Sequence, residues 1–209
     1  MKKFDLSLYL VTDSHMGKGS VEEIVEKALR GGVTLVQLRE KEGDTGELFR
    51  KAERLKRVTD AYKVPLIIDD RIDVMLAVNA AGVHVGQSDM PVAEARRLIG
   101  AERILGVSAR TVKEAVRAEQ DGADYLGVGA VFPTGTKKDA KLISRELLKE
   151  ITEAVSIPVT AIGGIRKDNI PLCRGTGVQG FAVVSAIMAA KEPEREAEEL
   201  NRIIRQTIF

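Results

Sequence analysis

The sequence predicts an α/β protein, a (βα)8 barrel of the TIM type formed as a single domain over residues 1–209. Three observations lead there. Eight short apolar runs rich in β-branched residues, at 8–11, 34–38, 66–68, 83–85, 104–107, 125–128, 159–162 and 180–184, alternate with longer stretches of helical period, the pattern of repeated βα units on a parallel sheet. The runs are entered by two kinds of signal that alternate along the chain. No G-x-G-x-x-G fingerprint of a doubly wound open sheet follows the first or second run, and eight small consecutive units suit closure better.

The helical stretches fall at 21–30, 46–61, 72–79, 92–99, 112–120, 146–155, weakly near 167–173, and 193–205. In the first, Ile24, Val25, Ala28 and Leu29 share one face, Glu22, Glu23, Glu26 and Lys27 face away, and Ser20 stands where an N-cap is needed. Pro171 weakens the seventh, because an interior proline removes a backbone donor. Gly32-Val33, Gly82-Val83, Gly122-Ala123 and Gly177-Val178 precede the second, fourth, sixth and eighth strands, each glycine expected to end a helix in the left-handed conformation. The third and seventh strands are entered through Val64-Pro65 and Ile157-Pro158, where proline stops the helix.

Composition sets the class of partner. Hydrophobic residues at 44% and charged residues at 30%, with 19 glycines and 6 prolines, describe a soluble globular chain. A net charge of +1 offers no long-range field to nucleic acid, so an anion must be held by local geometry. The apolar run after Met1-Lys2-Lys3-Phe4-Asp5 is too short for a signal segment or a membrane span, and the chain reads as cytoplasmic. Cys173, the only cysteine, rules out an intrachain disulfide and reads as a packing residue. A homo-oligomer is compatible with the sequence, which is silent on assembly.

In a barrel of this kind the active site lies at the C-terminal ends of the strands. Strand two ends in Gln37-Leu38-Arg39-Glu40-Lys41, strand three in Asp69-Asp70-Arg71, strand four in Gly86-Gln87-Ser88-Asp89 and strand five in Ser108. Strand six leads to Thr134-Gly135-Thr136-Lys137 and strand seven to Gly163-Gly164-Ile165. Asp70 and Asp89 follow adjacent strands, so their carboxylates can approach one point and hold Mg2+ with water and phosphate oxygens; alternatively, each caps the helix after it. Arg39, Lys41 and Lys137 around that point would form a pyrophosphate pocket. Gly163-Gly164 and Ser185 fit a second anion site at the last two strands. His84, inside its strand, reads as a satisfied wall residue rather than a base.

These motifs carry a resemblance. Tyr-Leu-Val-Thr-Asp at 9–13, Gln-Leu-Arg-Glu-Lys at 37–41, Val-His-Val-Gly-Gln-Ser-Asp-Met-Pro at 83–91, Thr-x-Thr-Lys at 134–137 and Ile-Gly-Gly-Ile at 162–165 resemble the thiamine phosphate synthase family in order and spacing, from about residue 8 to 190. The resemblance implies a transferase joining a pyrimidine diphosphate to a thiazole phosphate with release of pyrophosphate. It implies Mg2+ on Asp70 and Asp89. Gln37, Leu38, Arg39, Glu40, Lys41, Asp69, Ser108 and Lys137 would line the pyrimidine diphosphate site, with Arg39, Lys41, Ser108 and Lys137 serving the reaction. Thr134, Gly135, Thr136, Gly164, Val184 and Ser185 would contact the thiazole phosphate. The family usually has asparagine where this chain has Asp69, and a carboxylate there suits metal recruitment better than donation to phosphate. Two rival readings remain: a thiazole tautomerase of the same superfamily, and a non-catalytic barrel binding a thiamine precursor.

Overall fold

Parallel strands β1 (Leu8–Val11), β2 (Leu35–Leu38), β3 (Leu66–Asp69), β4 (Gly82–Val85), β5 (Ile104–Ala109), β6 (Tyr125–Val128), β7 (Val159–Ile162) and β8 (Gly180–Val183) pair in chain order and close into a barrel. The closing seam sets Leu8 against Phe181 and Leu10 against Val183. The structure is a computed structural model that describes residues 4–135 and 141–208. Around the barrel lie α1 (Val21–Arg30), α2 (Thr45–Ala61), α3 (Ile72–Ala77), α4 (Val92–Ile99), α5 (Val112–Gln120), α6 (Arg145–Ala154), α7 (Ser185–Met188) and α8 (Pro193–Ile208). The fold is the expected (βα)8 barrel, and no helix among the described residues is long and apolar enough to cross a membrane.

Strand side chains alternate between two cores, as the pleat requires. Leu8, Leu10, Val36, Leu38 and Ile68 face outward and pack under the helices, whereas Tyr9, Val11, Leu35, Ile67, Tyr125 and Ala182 fill the barrel. In α1, Ser20 accepts from the backbone of Glu23 while the Glu23 side chain accepts from that of Ser20, a capping box that satisfies two orphan donors.

Helix endings depart from the expected pattern at one glycine. Gly32, Gly122 and Gly177 have φ of 95°, 99° and 80°. Gly82 does not; the left-handed residue after α3 is Asn79, with φ 55°, and asparagine is among the few residues that accept this conformation. Gly82 is instead needed for close approach, since a Cβ there would overlap the Ile104 carbonyl across the β4–β5 pairing.

The seventh helical stretch narrows to a 3-10 turn at Ile170–Cys173, with Pro171 in its first turn, where a missing N–H costs little. The short α7 was not anticipated. At the other end of the barrel α8 lies against α1, joined by Arg30 to Glu194 at 2.9 Å and by the Asn201 amide donating to the Gly32 carbonyl at 3.0 Å.

Candidate active site

At the C-terminal ends of the strands opens a cavity of about 610 Å³. Its deep wall is made by inward-facing strand residues, among them Tyr9, His84, Gly127 and Thr160, and its mouth carries Arg39, Lys41, Asp69, Asp70, Asp89 and Arg110. The pleat explains the selection from the 37–41 motif. Gln37, Arg39 and Lys41 line the cavity. Leu38 is buried in the outer core, and the Glu40 carboxylate accepts from Ser14 Oγ at 2.9 Å and meets Lys51 at 3.3 Å, away from the cavity lining.

Charge is concentrated where β2, β3 and β4 end. Lys41 Nζ bridges Asp69 Oδ2, at 2.8 Å, and Asp70 Oδ2, while Arg39 Nε stands 3.8 Å from Asp69. The Lys41–Asp69 pair is electrostatic rather than directional, leaving the buried Asp69 Oδ2 without a well-aligned hydrogen bond. Asp70 is held in the left-handed region with φ 57°, its N–H donating to the His84 carbonyl at 2.8 Å. A non-glycine residue in that conformation costs roughly 1–3 kcal/mol and persists where the surroundings impose it. Neither aspartate caps a helix as the alternative reading had it. The N-cap positions of α3 and α4 are Arg71 and Pro91, and Asp89 Oδ2 accepts instead from the Gly86 N–H within its own loop, at 2.8 Å.

Burial, then the Asp69 charge, push the Asp70 carboxyl up to about 6 against the pull of Lys41, and a hydrogen bond shared with Asp89 adds to the rise. Asp70 and Asp89 both line this cavity. A raised carboxyl pKa means that the folded state holds this proton more tightly than the unfolded chain. The stability it contributes is complete below the ordinary value of 3.8 and is lost as pH rises through about 6. Asp70→Asn, which tolerates the left-handed backbone, should accordingly raise the melting temperature of chelator-treated protein above pH 6. The advantage should fade below about pH 4; a difference that stays constant across that window would refute it.

Asp69 and Asp70 share one ammonium group, and with Asp89 on the same cavity they form a hard, oxygen-rich and negative site. Among the described residues no group of three His, Cys, Asp or Glu side chains is arranged to ligate a metal by itself. The carboxylate oxygens of Asp70 and Asp89 have the chemistry of donors to a hard cation that keeps most of its waters, as Mg2+ does.

On the opposite side, Gly163 and Gly164 follow β7 with φ of 96° and 65°. Side chains there would overlap Ala130 and the carbonyls of Phe132 and Pro133, so the glycines let the loops after β6 and β7 interlock, with the Phe132 N–H donating to the Gly163 carbonyl at 3.0 Å. Thr134, Gly164, Val184 and Ser185 border the cavity here, and Gly135 lies beside it in sequence without lining it. Thr136 and Lys137 lie outside the described residues.

Ser108 lines the cavity as expected, and His84 is satisfied within the wall, its ring nitrogens bonded to Tyr125 and Ser108. The sequence marks Gln87 as part of a polar strand end without a role, and its motifs leave out Arg110, Lys141 and Thr160, yet all four line the cavity. Arg110 directly follows β5 and would have been found by applying the strand-end rule to both residues after Ser108. Thr160, buried and with its hydroxyl unpartnered, is marked only by its inward register on β7.

A closed eight-stranded barrel with a charged cavity at the C-terminal rim defines a barrel enzyme. The profile described as thiamine monophosphate synthase matches residues 8–187. A thiamine-phosphate synthase of Clostridium beijerinckii is 53% identical over 200 residues, 95% of this chain and 96% of the relative, and one of Methanobrevibacter smithii is 52% identical, covering 96% of each. A thiamine phosphate pyrophosphorylase from Pyrococcus furiosus superposes with a TM-score of 0.90 at 44% identity, covering 98% of both chains. The chain belongs to the thiamine monophosphate synthase family, and it is a transferase.

Proposed function

We propose that the enzyme joins 4-amino-2-methyl-5-hydroxymethylpyrimidine diphosphate to 4-methyl-5-(2-phosphoethyl)thiazole, giving thiamine monophosphate and pyrophosphate. The observation that supports this most is the convergence of Lys41, Asp70 and Asp89 at the mouth of a cavity deep enough for a heteroaromatic ring. The bond from the pyrimidine methylene carbon to the diphosphate oxygen breaks with its electron pair leaving on the diphosphate. The thiazole nitrogen lone pair then forms the new C–N bond, and no protein nucleophile or proton transfer is required.

Asp70 and Asp89 would hold Mg2+, which supplies positive charge to the diphosphate oxygens. Arg39 and Lys41, already fixed by Asp69, offer further positive charge to the same group, so little reorganisation accompanies its departure. Lys137 belongs with them by the resemblance. Ser108 and Gln37 face the reacting end of the pyrimidine substrate, and Gly164, Thr134, Val184 and Ser185 would receive the thiazole phosphate, with Thr136 and Gly135 completing that loop. The barrel wall keeps water from an electron-poor carbon and sets the two reactants side by side. Asp69 acts through the cations it holds, which explains a carboxylate beside a site for anions.

Purified protein incubated with both substrates should form thiamine phosphate and pyrophosphate in equal amounts with Mg2+ and neither after chelation. Isomerisation of the thiazole alone, or binding without turnover, would overturn the proposal.

A further inference from the structure

Five side chains from five strands are hydrogen-bonded in series across the interior of the barrel. Gln37 Nε2 donates to Tyr9 Oη at 2.6 Å. Tyr9 and Tyr125 share a hydrogen bond at 2.7 Å, Tyr125 meets His84 Nδ1 at 3.0 Å, and His84 Nε2 meets Ser108 Oγ at 2.9 Å. Tyr9, Tyr125, Gln37 and His84 are all buried, and both ends of the series, Gln37 and Ser108, line the cavity.

With Gln37 Nε2 as the donor to Tyr9, one proton on each phenol orients the whole chain. Burial raises both phenols well above their ordinary range, so each keeps its one proton. Tyr9 accepts from Gln37 and gives its proton to Tyr125. Tyr125 gives its own to His84 Nδ1. His84 is then the neutral tautomer with its proton on Nε2, which it donates to Ser108 Oγ. The Ser108 proton is left to point into the cavity, and the Gln37 carbonyl is left as an acceptor. The reverse chain would begin with the Gln37 carbonyl accepting from Tyr9 and end with Ser108 donating to His84, presenting only lone pairs to an anion.

The neighbouring strands keep this line open. A side chain at Gly106 on β5 would overlap the Tyr125 hydroxyl and ring and the His84 ring, and one at Gly127 on β6 would press on His84 at 3.2 Å. Two glycines thus leave room for the link between Tyr125 and His84.

We infer that Tyr9, Tyr125 and His84 are positioning residues that fix the polarity of this chain, making Ser108 a hydrogen-bond donor toward the diphosphate and Gln37 an acceptor toward the substrate ring. The role rests on the reaction proposed above, with Ser108 and Gln37 as the contacting groups and the other three acting through them.

The tautomer is read on the resting protein, so it stands or falls separately from the reaction. With only two histidines, ¹⁵N NMR of the His15→Gln protein should show His84 protonated at Nε2 and bare at Nδ1, and Tyr125→Phe should abolish that single form. A wild-type His84 protonated at Nδ1 would overturn the inference. In steady-state assays Tyr125→Phe should lower kcat about 10-fold, the scale of one hydrogen bond to a charged group, with KM for the pyrimidine diphosphate changed far less. Tyr9→Phe breaks the same chain one link further away and should act in the same direction. Ser108→Ala should lower kcat at least as much, and the double variant Ser108→Ala, Tyr125→Phe should be no worse than Ser108→Ala alone, since coupled groups are not additive. Independent, multiplying losses would mean that Tyr125 merely supports the fold.

Discussion

Lys41→Ala should cost the enzyme about 100-fold to 1,000-fold in kcat, the scale seen when one preorganised charge or donor is removed from the transition state. Two effects combine. The departing diphosphate loses an ammonium group at the mouth of the cavity, and Asp69 and Asp70 lose the cation that bridges them. Adjacent carboxylates without a counterion repel each other and any anion brought to them. Burial of Lys41 works against its charge, yet the two aspartates win and hold its pKa above the ordinary range, so the group meets substrate as a cation at any physiological pH. Arg39 cannot substitute, because its ion pair is with Asp69 and does not bridge to Asp70 as that of Lys41 does. Steady-state kinetics with circular dichroism as a check on folding would decide it; kcat within threefold of wild type would remove Lys41 from the reaction.

Gly180→Ala should be the most damaging single methyl group in the fold. A Cβ there would overlap the carbonyl of Leu6 and crowd the backbone N of Ser7 at 3.0 Å, and backbone cannot rotate away as a side chain can. Overpacking of this kind costs about 1–3 kcal/mol and sometimes more. The site lies on the seam between β8 and β1, where Leu8 faces Phe181, so relief requires the closing pair to separate. For a chain of this length each 1 kcal/mol lowers the melting temperature by roughly 2–4 °C, and a fall of about 2–12 °C is expected by calorimetry. Gly100→Ala, where a Cβ meets nothing within 4 Å although φ is 76°, is the control for backbone strain without collision.

The barrel was legible in the sequence because its signals are local. β-branched runs, helical period and proline or glycine at the boundaries each occupy a few neighbouring residues, and they located all eight strands. The signals failed where one residue type serves two ends. Gly82 looked like a helix terminator and is a packing glycine within β4. Asp70 and Asp89 looked like helix caps in the alternative reading and are not. Within the candidate site, the resemblance implies the whole motif at 37–41. The alternation of side chains along a strand separates its inward members, Gln37, Arg39 and Lys41, from Leu38 and Glu40. The interior chain could not be read at all, since its central bond joins Tyr9 to Tyr125, 116 positions apart. Only closure of the barrel makes those two residues neighbours.

The seam has a consequence for how the molecule is made. Because β1 takes one neighbour from β8 and α1 is covered by α8, the first βα unit leaves the ribosome long before the segments that complete it. Until translation reaches the last βα unit, β1 offers one raw backbone edge and α1 an uncovered apolar flank to its surroundings, an invitation to mispairing that local helix formation cannot remove. Contacts between such distant stretches also slow folding, since chain entropy is surrendered before they reward it.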